Sequence, residues 1–83
     1  MKAYTVATGR VDFFKKESKA AARFMSKQEG FLGVYPFARE DGACLWLYRE
    51  RSDAIRARNL AEAEGIHCGI NIMEVEIDGP VSS

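Results

Sequence analysis

Few residues of this chain could act as nucleophiles or metal ligands. The candidates for covalent or metal chemistry are the two cysteines, Cys44 and Cys68, and the single histidine, His67. Zinc sites hold their cysteines in short motifs, whereas these two lie 24 residues apart with no fourth ligand at a recognisable spacing. The sequence therefore predicts no metal site, and it predicts two reduced thiols with no disulfide between them.

Carboxylates are the next candidates for chemistry. Glu74 and Glu76 alternate along the last predicted strand, so they share one face of it. Paired carboxylates can perform general acid–base catalysis when their surroundings give them different roles. The sequence places no base, activated nucleophile or phosphate-binding glycine loop beside them. We therefore predict that the protein is not an enzyme, has no catalytic residue and needs no cofactor.

A row of cations is one of two candidate binding surfaces, beside the apolar sheet face described below. Lys15, Lys19, Arg23 and Lys27 follow one another at intervals of four residues, and Lys16 stands beside them. On a helix this spacing lines the cations along one face, where each like-charged pair costs about 0.2–0.5 kcal/mol. We call these five residues the basic ridge and predict that it binds a partner. The alternative interpretation is a solvated helix face.

The overall charge conceals this ridge. Twelve basic and twelve acidic residues cancel, but residues 1–27 carry seven cations and two anions, whereas residues 28–83 carry five and ten. The segments therefore have charges of +5 and −5. This asymmetry favours oriented docking on an acidic protein surface or on a second copy of the chain, and a nucleic-acid backbone is a less favoured partner.

The N-terminal part predicts a strand followed by a helix. Residues 2–8 are β-branched, aromatic and partly alternating, which is typical of a strand. A helix is predicted from Asp12, its N-cap, to Gln28, and Gly30 ends it. In the alternative, Thr8-Gly9 turns a hairpin into a second strand at residues 10–14, and the helix begins near Ser18.

A hairpin is predicted over residues 31–40 and 43–50. Asp41-Gly42 is a strong signal for a two-residue type I′ turn, which would pair Tyr48 with Tyr35. The edge position of the first strand follows from Pro36, which cannot donate a ladder hydrogen bond. One face of the second strand carries Cys44, Trp46 and Tyr48. The other face forms a predicted sheet-face interface, consisting of Ala43, Leu45, Leu47, Val34 and Pro36.

The C-terminal part predicts a helix and a last strand. Ser52 is the expected N-cap, the helix runs to about Glu64, and its inner face consists of alanines and Leu60. Gly65-Ile66 fits a Schellman motif. In the strand at 67–77, Ile70 and Ile72 share the side of the glutamates, so the strand either contains a bulge or is partly covered on that side.

The order βαββαβ predicts a ferredoxin-like α+β sandwich with two helices on one face of a four-stranded antiparallel sheet. The domain covers residues 1–78, and residues 79–83 form a flexible tail. Two helices cover only one side of such a sheet, so the sheet-face interface would be an exposed apolar patch, which predicts a homodimer. The chain has no apolar run long enough for a membrane span and no apolar signal core near Met1, so we expect a cytoplasmic protein without a membrane partner.

Two resemblances add to these predictions. The segments 29–33 (EGFLG), 45–48 (LWLY) and 52–54 (SDA) resemble the dimeric α/β-barrel superfamily that includes antibiotic-biosynthesis-monooxygenase-like proteins. This resemblance implies the fold and dimerisation through the open sheet face, although the His/Asn set of its active members is not identifiable. The segments 57–62 and 65–72 resemble small proteins of bacterial mobile elements, which implies an accessory or inhibitor protein.

Together these observations predict a small interaction module that binds and modulates another macromolecule. The first alternative is a dimeric α/β barrel that binds or converts a small molecule. The second is an accessory protein that binds nucleic acid through the basic ridge.

Overall fold

The computed structural model describes residues 1–9, 16–35 and 44–78, apart from the side chain of Glu17. The elements are β1 (Lys2–Thr8), α1 (Lys16–Ser26), β2 (Phe31–Tyr35), β3 (Cys44–Tyr48), α2 (Arg51–Ala63) and β4 (Met73–Glu76). The strands form one antiparallel sheet in the order β2-β3-β1-β4. The α+β class is confirmed, as are the extent of β1 and the edge position of β2. The predicted N-cap Asp12, the alternative strand at 10–14, the Asp41-Gly42 turn and the tail at 79–83 lie outside the described residues.

The main core lies between the sheet and the two helices. Trp46 and Tyr48 of β3 pack here with Met25 of α1 and with the buried alanines of α2, as the alternation of β3 and the alanine spacing predict. The Trp46 indole donates to Thr8 Oγ1 at 2.8 Å, which satisfies its buried N–H. Leu60 was predicted on this inner face, but its side chain is 44% exposed. That prediction is wrong because α2 packs against the core through Ala54, Ala57 and Ala61, and helical periodicity places Leu60 at the margin of that face.

The predicted hairpin register is wrong by three residues. Tyr35 pairs with Leu45, not with Tyr48, and Val34 pairs with Trp46. Because side chains alternate between the faces of a strand, this odd shift moves Gly33, Val34 and Tyr35 to the face opposite the predicted one. Val34 therefore packs in the main core rather than in the predicted sheet-face interface. A register irregularity between Phe31 and Gly33 changes the pairing again near the start of β2.

Both ends of α2 are defined by backbone contacts. The N-cap is Glu50, which makes no side-chain capping hydrogen bond, so the prediction of Ser52 as N-cap is wrong. At the other end, Gly65 has a φ of +85°. Ile66 N donates to Ala61 O at 2.9 Å, and Gly65 N donates to Glu62 O at 3.0 Å. These two bonds confirm the predicted Schellman motif.

The last strand is shorter than the predicted span of 67–77. It begins at Met73, and only an isolated bridge between Cys68 and Thr8 precedes it. Ile72 packs against the main core on the glutamate side, which supports the interpretation of a partly covered face. Ile70 lies in the interruption between the bridge and β4, and its side chain is 84% exposed. Within the described residues, no helix is both long enough and apolar enough to cross a membrane.

Candidate interaction surface

The basic ridge follows the outer side of α1. Lys16, Lys19, Arg23 and Lys27 are all exposed, and Lys15 lies outside the described residues. None of these four cations makes an ion pair with another described residue. Lys27 directly follows the last residue of α1, so the ridge extends along the whole helix, which has roughly three turns. The structure therefore brings together the four described members of the predicted site.

Contacts on the opposite side of α1 hold the ridge in place. The Met25 side chain is fully buried, and its carbonyl oxygen accepts a 2.7 Å hydrogen bond from the Tyr48 hydroxyl. Burial of this hydroxyl raises the pKa of Tyr48, with a smaller contribution from Cys68, so the group stays protonated and continues to donate. No sequence pattern predicts the bond between the Tyr48 hydroxyl and the Met25 carbonyl, which joins β3 to the last turn of α1.

Several acidic residues elsewhere in the described chain have cationic partners. Arg56 contacts Glu29 at 2.9 Å and Asp53 at 3.4 Å, and Lys2 Nζ lies 3.9 Å from a Glu74 carboxylate oxygen. The same Glu74 carboxylate accepts a hydrogen bond from the Tyr4 hydroxyl, and this bond raises the pKa of Tyr4. No ion pair between described residues thus involves a residue of α1.

An apolar groove of about 430 Å³ borders the ridge. We call it the α1–α2 groove; it is lined by Ala20, Ala21, Phe24, Glu64 and Ile66. The helical spacing of Ala20, Ala21 and Phe24 indicates one apolar face of α1, but it does not predict a groove. The sequence feature that could have indicated the groove is the pair of small side chains at Ala20 and Ala21. They line it together with Ile66, the apolar residue of the Schellman motif.

The predicted sheet-face interface is only partly assembled. Leu45 and Leu47 share the side of the sheet away from the main core, whereas Val34 does not, and Ala43 and Pro36 lie outside the described residues. Leu47 is only 1% exposed and belongs to a second buried cluster with Ala3, Leu32 and Ile77. The sheet-face interface was predicted to be an exposed apolar patch, but its described residues are largely buried within the chain itself.

The exposed apolar surface on that side lies beyond this second cluster. Met73 is 52% exposed, and Tyr35 and Ile70 are also exposed. A groove of about 480 Å³ runs along it. Its lining consists of Thr5, Ala7, Leu45, Gly69, Ile70, Asn71 and Met73. Thr5 Oγ1 already accepts a hydrogen bond from Met73 N, so the polar groups of this groove are partly satisfied.

The two cysteines are free thiols, as predicted. Thr8 of β1 pairs with Cys44 on one side and bridges to Cys68 on the other. The cysteines are thus two strand spacings apart, about 9.6 Å, which is too far for a disulfide. Burial raises the pKa of Cys68 to about 11, and Glu62 contributes to the shift. Within the described residues, no three His, Cys, Asp or Glu side chains form a group that could hold a metal ion.

Comparison with known proteins assigns no family to this chain. No protein-family model, curated protein or solved structure matches it. The chemistry of the surfaces described above is therefore the basis for a functional proposal.

Proposed function

We propose that this protein is a small, non-enzymatic interaction module that binds and modulates another macromolecule through the basic ridge. The partner is a protein with an acidic surface, and the role is that of an accessory or inhibitor protein. The observation that carries the proposal is the row of exposed cations on α1, none of which has an ion-pair partner among the described residues.

The energetics of α1 support a binding role for the ridge. Lys19 and Arg23 form a like-charged i, i+4 pair, and such pairs destabilise a helix. The chain compensates other charges, as the contacts of Arg56 with Glu29 and Asp53 illustrate. A helix face whose cations repel one another and have no ion-pair partner among the described residues is better accounted for by an external anionic partner than by folding.

The charge distribution favours an acidic protein over nucleic acid. Glu64 lines the α1–α2 groove beside the ridge, and the net charge of the chain is zero. A long polyanion that continues past α1 would meet this carboxylate, whereas a compact acidic patch can contact the cations alone. The finite length of the ridge, about three helical turns, fits such a patch.

The fold proposed for this module is a ferredoxin-like βαββαβ sandwich. The strand order β2-β3-β1-β4 and the contribution of both helices to one core cluster support it. A cytoplasmic location is also proposed, because Cys44 and Cys68 are free, as thiols are in reducing compartments.

Binding to defined anionic probes tests the proposal. We expect a fluorescein-labelled poly-glutamate peptide to raise its anisotropy on titration with the protein, with an affinity that falls as salt increases. The variant Lys19→Glu/Arg23→Glu should lose this binding, and the matched variant Arg49→Glu/Arg51→Glu, which changes two exposed cations outside the ridge, should keep it. Equal affinity of the two variants would refute the proposal. Tighter binding of a DNA duplex than of poly-glutamate would favour the nucleic-acid alternative.

A second candidate function uses the other side of the sheet. The groove of about 480 Å³ and the exposed Met73, Tyr35 and Ile70 favour a homodimer that encloses a small apolar ligand there, as in a dimeric α/β barrel. Light scattering over a range of protein concentrations tests this candidate. A dimer that Met73→Glu dissociates would support it, and a monomer at every concentration would exclude it.

A further inference from the structure

We propose that the α1–α2 groove is a docking site for an amphipathic helix of a partner protein, whose acidic residues contact the basic ridge. This inference rests on the proposed function and names the form of the acidic partner. The groove supplies an apolar surface from α1 and from Ile66, which follows α2, and the ridge supplies charge along one of its rims. Helix-in-groove recognition combines these two elements.

Helical periodicity places the cations directly beside the groove. Ala20 lines the groove, follows Lys16 by four residues and precedes Arg23 by three, so both cations are its neighbours on the helix surface. Phe24 also lines the groove and precedes Lys27 by three residues. An occupant that covers Ala20 and Phe24 would therefore bring its flank within reach of Lys16, Arg23 and Lys27.

The lining of the groove requires an apolar contact surface on the occupant. Ala20 is exposed and Phe24 is half-buried, so both have apolar surface that a partner can cover. Burying such surface contributes about 25 cal/mol for each Å² removed from water. An acidic segment without an apolar stripe would gain the charge contacts but not this contribution.

The two rims of the groove differ in charge and so orient the occupant. The α1 rim carries the basic ridge, whereas the other rim carries the Glu64 carboxylate at the C-cap of α2. The negative end of the α2 dipole lies at the same place. The complementary helix therefore has acidic residues along one flank of its apolar stripe and neutral or basic residues along the other. Three turns of it, about 11 residues, would match the length of the ridge.

Two synthetic peptides of identical composition test the proposal on the unmodified protein. The first is a helix-forming peptide of about 15 residues with leucines at helical i, i+3, i+4 and i+7 spacing and glutamates along one flank. The second contains the same residues in an order that destroys the stripe. We expect the first to bind at least tenfold more tightly by fluorescence anisotropy and to gain helical circular dichroism on binding.

A variant that fills the groove provides the second arm. Ala20→Trp should weaken binding of the striped peptide at least tenfold and leave poly-glutamate binding unchanged. The matched variant Ala63→Trp, at an exposed position of α2 outside the groove lining, should change neither.

Failure of the inference can be told apart from failure of the proposed function. Equal binding of the two peptides, or an unchanged affinity for Ala20→Trp, would overturn helix docking while ridge-dependent poly-glutamate binding persists. Absence of binding to both peptides and to poly-glutamate would overturn the proposed function together with the inference.

Discussion

Replacing Lys19 by glutamate should stabilise the fold and weaken partner binding at the same time. Lys19 stands in the first turn of α1, three residues after Lys16 and four before Arg23, and it has no ion-pair partner among the described residues. A glutamate there would face a cation on each side and would lie at the positive end of the helix dipole. Each of these local effects would increase the free energy of unfolding.

The magnitude follows from these contacts. Each like-charged pair costs about 0.2–0.5 kcal/mol and each opposite pair gains a similar amount, so converting two pairs changes the free energy of unfolding by roughly 0.8–2 kcal/mol. The dipole adds about 0.3–1 kcal/mol at low ionic strength. Because all of these charges are exposed, salt at about 0.15 M screens them, and a net gain of about 1 kcal/mol is expected. For a domain of this size that gain raises Tm by about 4–8 °C.

The same change should lower affinity for an acidic probe about tenfold, which corresponds to roughly 1.4 kcal/mol. Thermal unfolding followed by circular dichroism and anisotropy titration with labelled poly-glutamate measure the two effects on one preparation. Arg51→Glu, at an exposed cation outside the ridge, is the control and should leave affinity unchanged. A fall in Tm would show that Lys19 is engaged within the fold. If the Lys19→Glu variant binds poly-glutamate with an affinity within twofold of that of the unmodified protein, the ridge does not contact the probe.

Further predictions concern Tyr48, Cys68 and the two glycines Gly30 and Gly65. Tyr48→Phe should cost about 1–2 kcal/mol in chemical denaturation, because a buried carbonyl of α1 loses its donor; a cost below about 0.5 kcal/mol would contradict that contact. The pKa of Tyr48 is raised in the folded state, so its contribution to stability is present below pH ~10 and is lost as pH rises above it, a loss that the Phe variant should not show. Because the pKa of Cys68 is raised from 9.0 to about 11, alkylation by iodoacetamide at neutral pH should be about 100-fold slower in the folded than in the denatured chain, and equal rates would refute the shift. Gly30→Ala should lower Tm more than Gly65→Ala does. Both glycines have positive φ, but only a Cβ at Gly30 collides with the Asp53 carboxylate. An equal loss of Tm would show that Asp53 moves aside freely.

Parts of the candidate site were predictable because they depend on short-range periodicity. The spacing of Lys16, Lys19, Arg23 and Lys27 places them on one helix face whatever the helix packs against, and all four are exposed. The groove beside them was not predictable, since Ile66 and Phe24 come to line one groove only through the packing of α1 beside the end of α2. A sequence pattern states which face is apolar but not how much of it a neighbouring element leaves uncovered.

The sequence by itself determined the order of the elements, the alternation along β3 and the Schellman motif after α2, because each depends on residues within a few positions of one another. Tertiary structure decided the pairing of β2 with β3, which lies three residues from the register that Asp41-Gly42 predicts and which moves Val34 into the main core. It also decided that Leu47 is buried and that Tyr48 holds the end of α1. The physical reason is that strand register and burial are set by the packing of whole faces, in which residues distant along the chain compete for the same space.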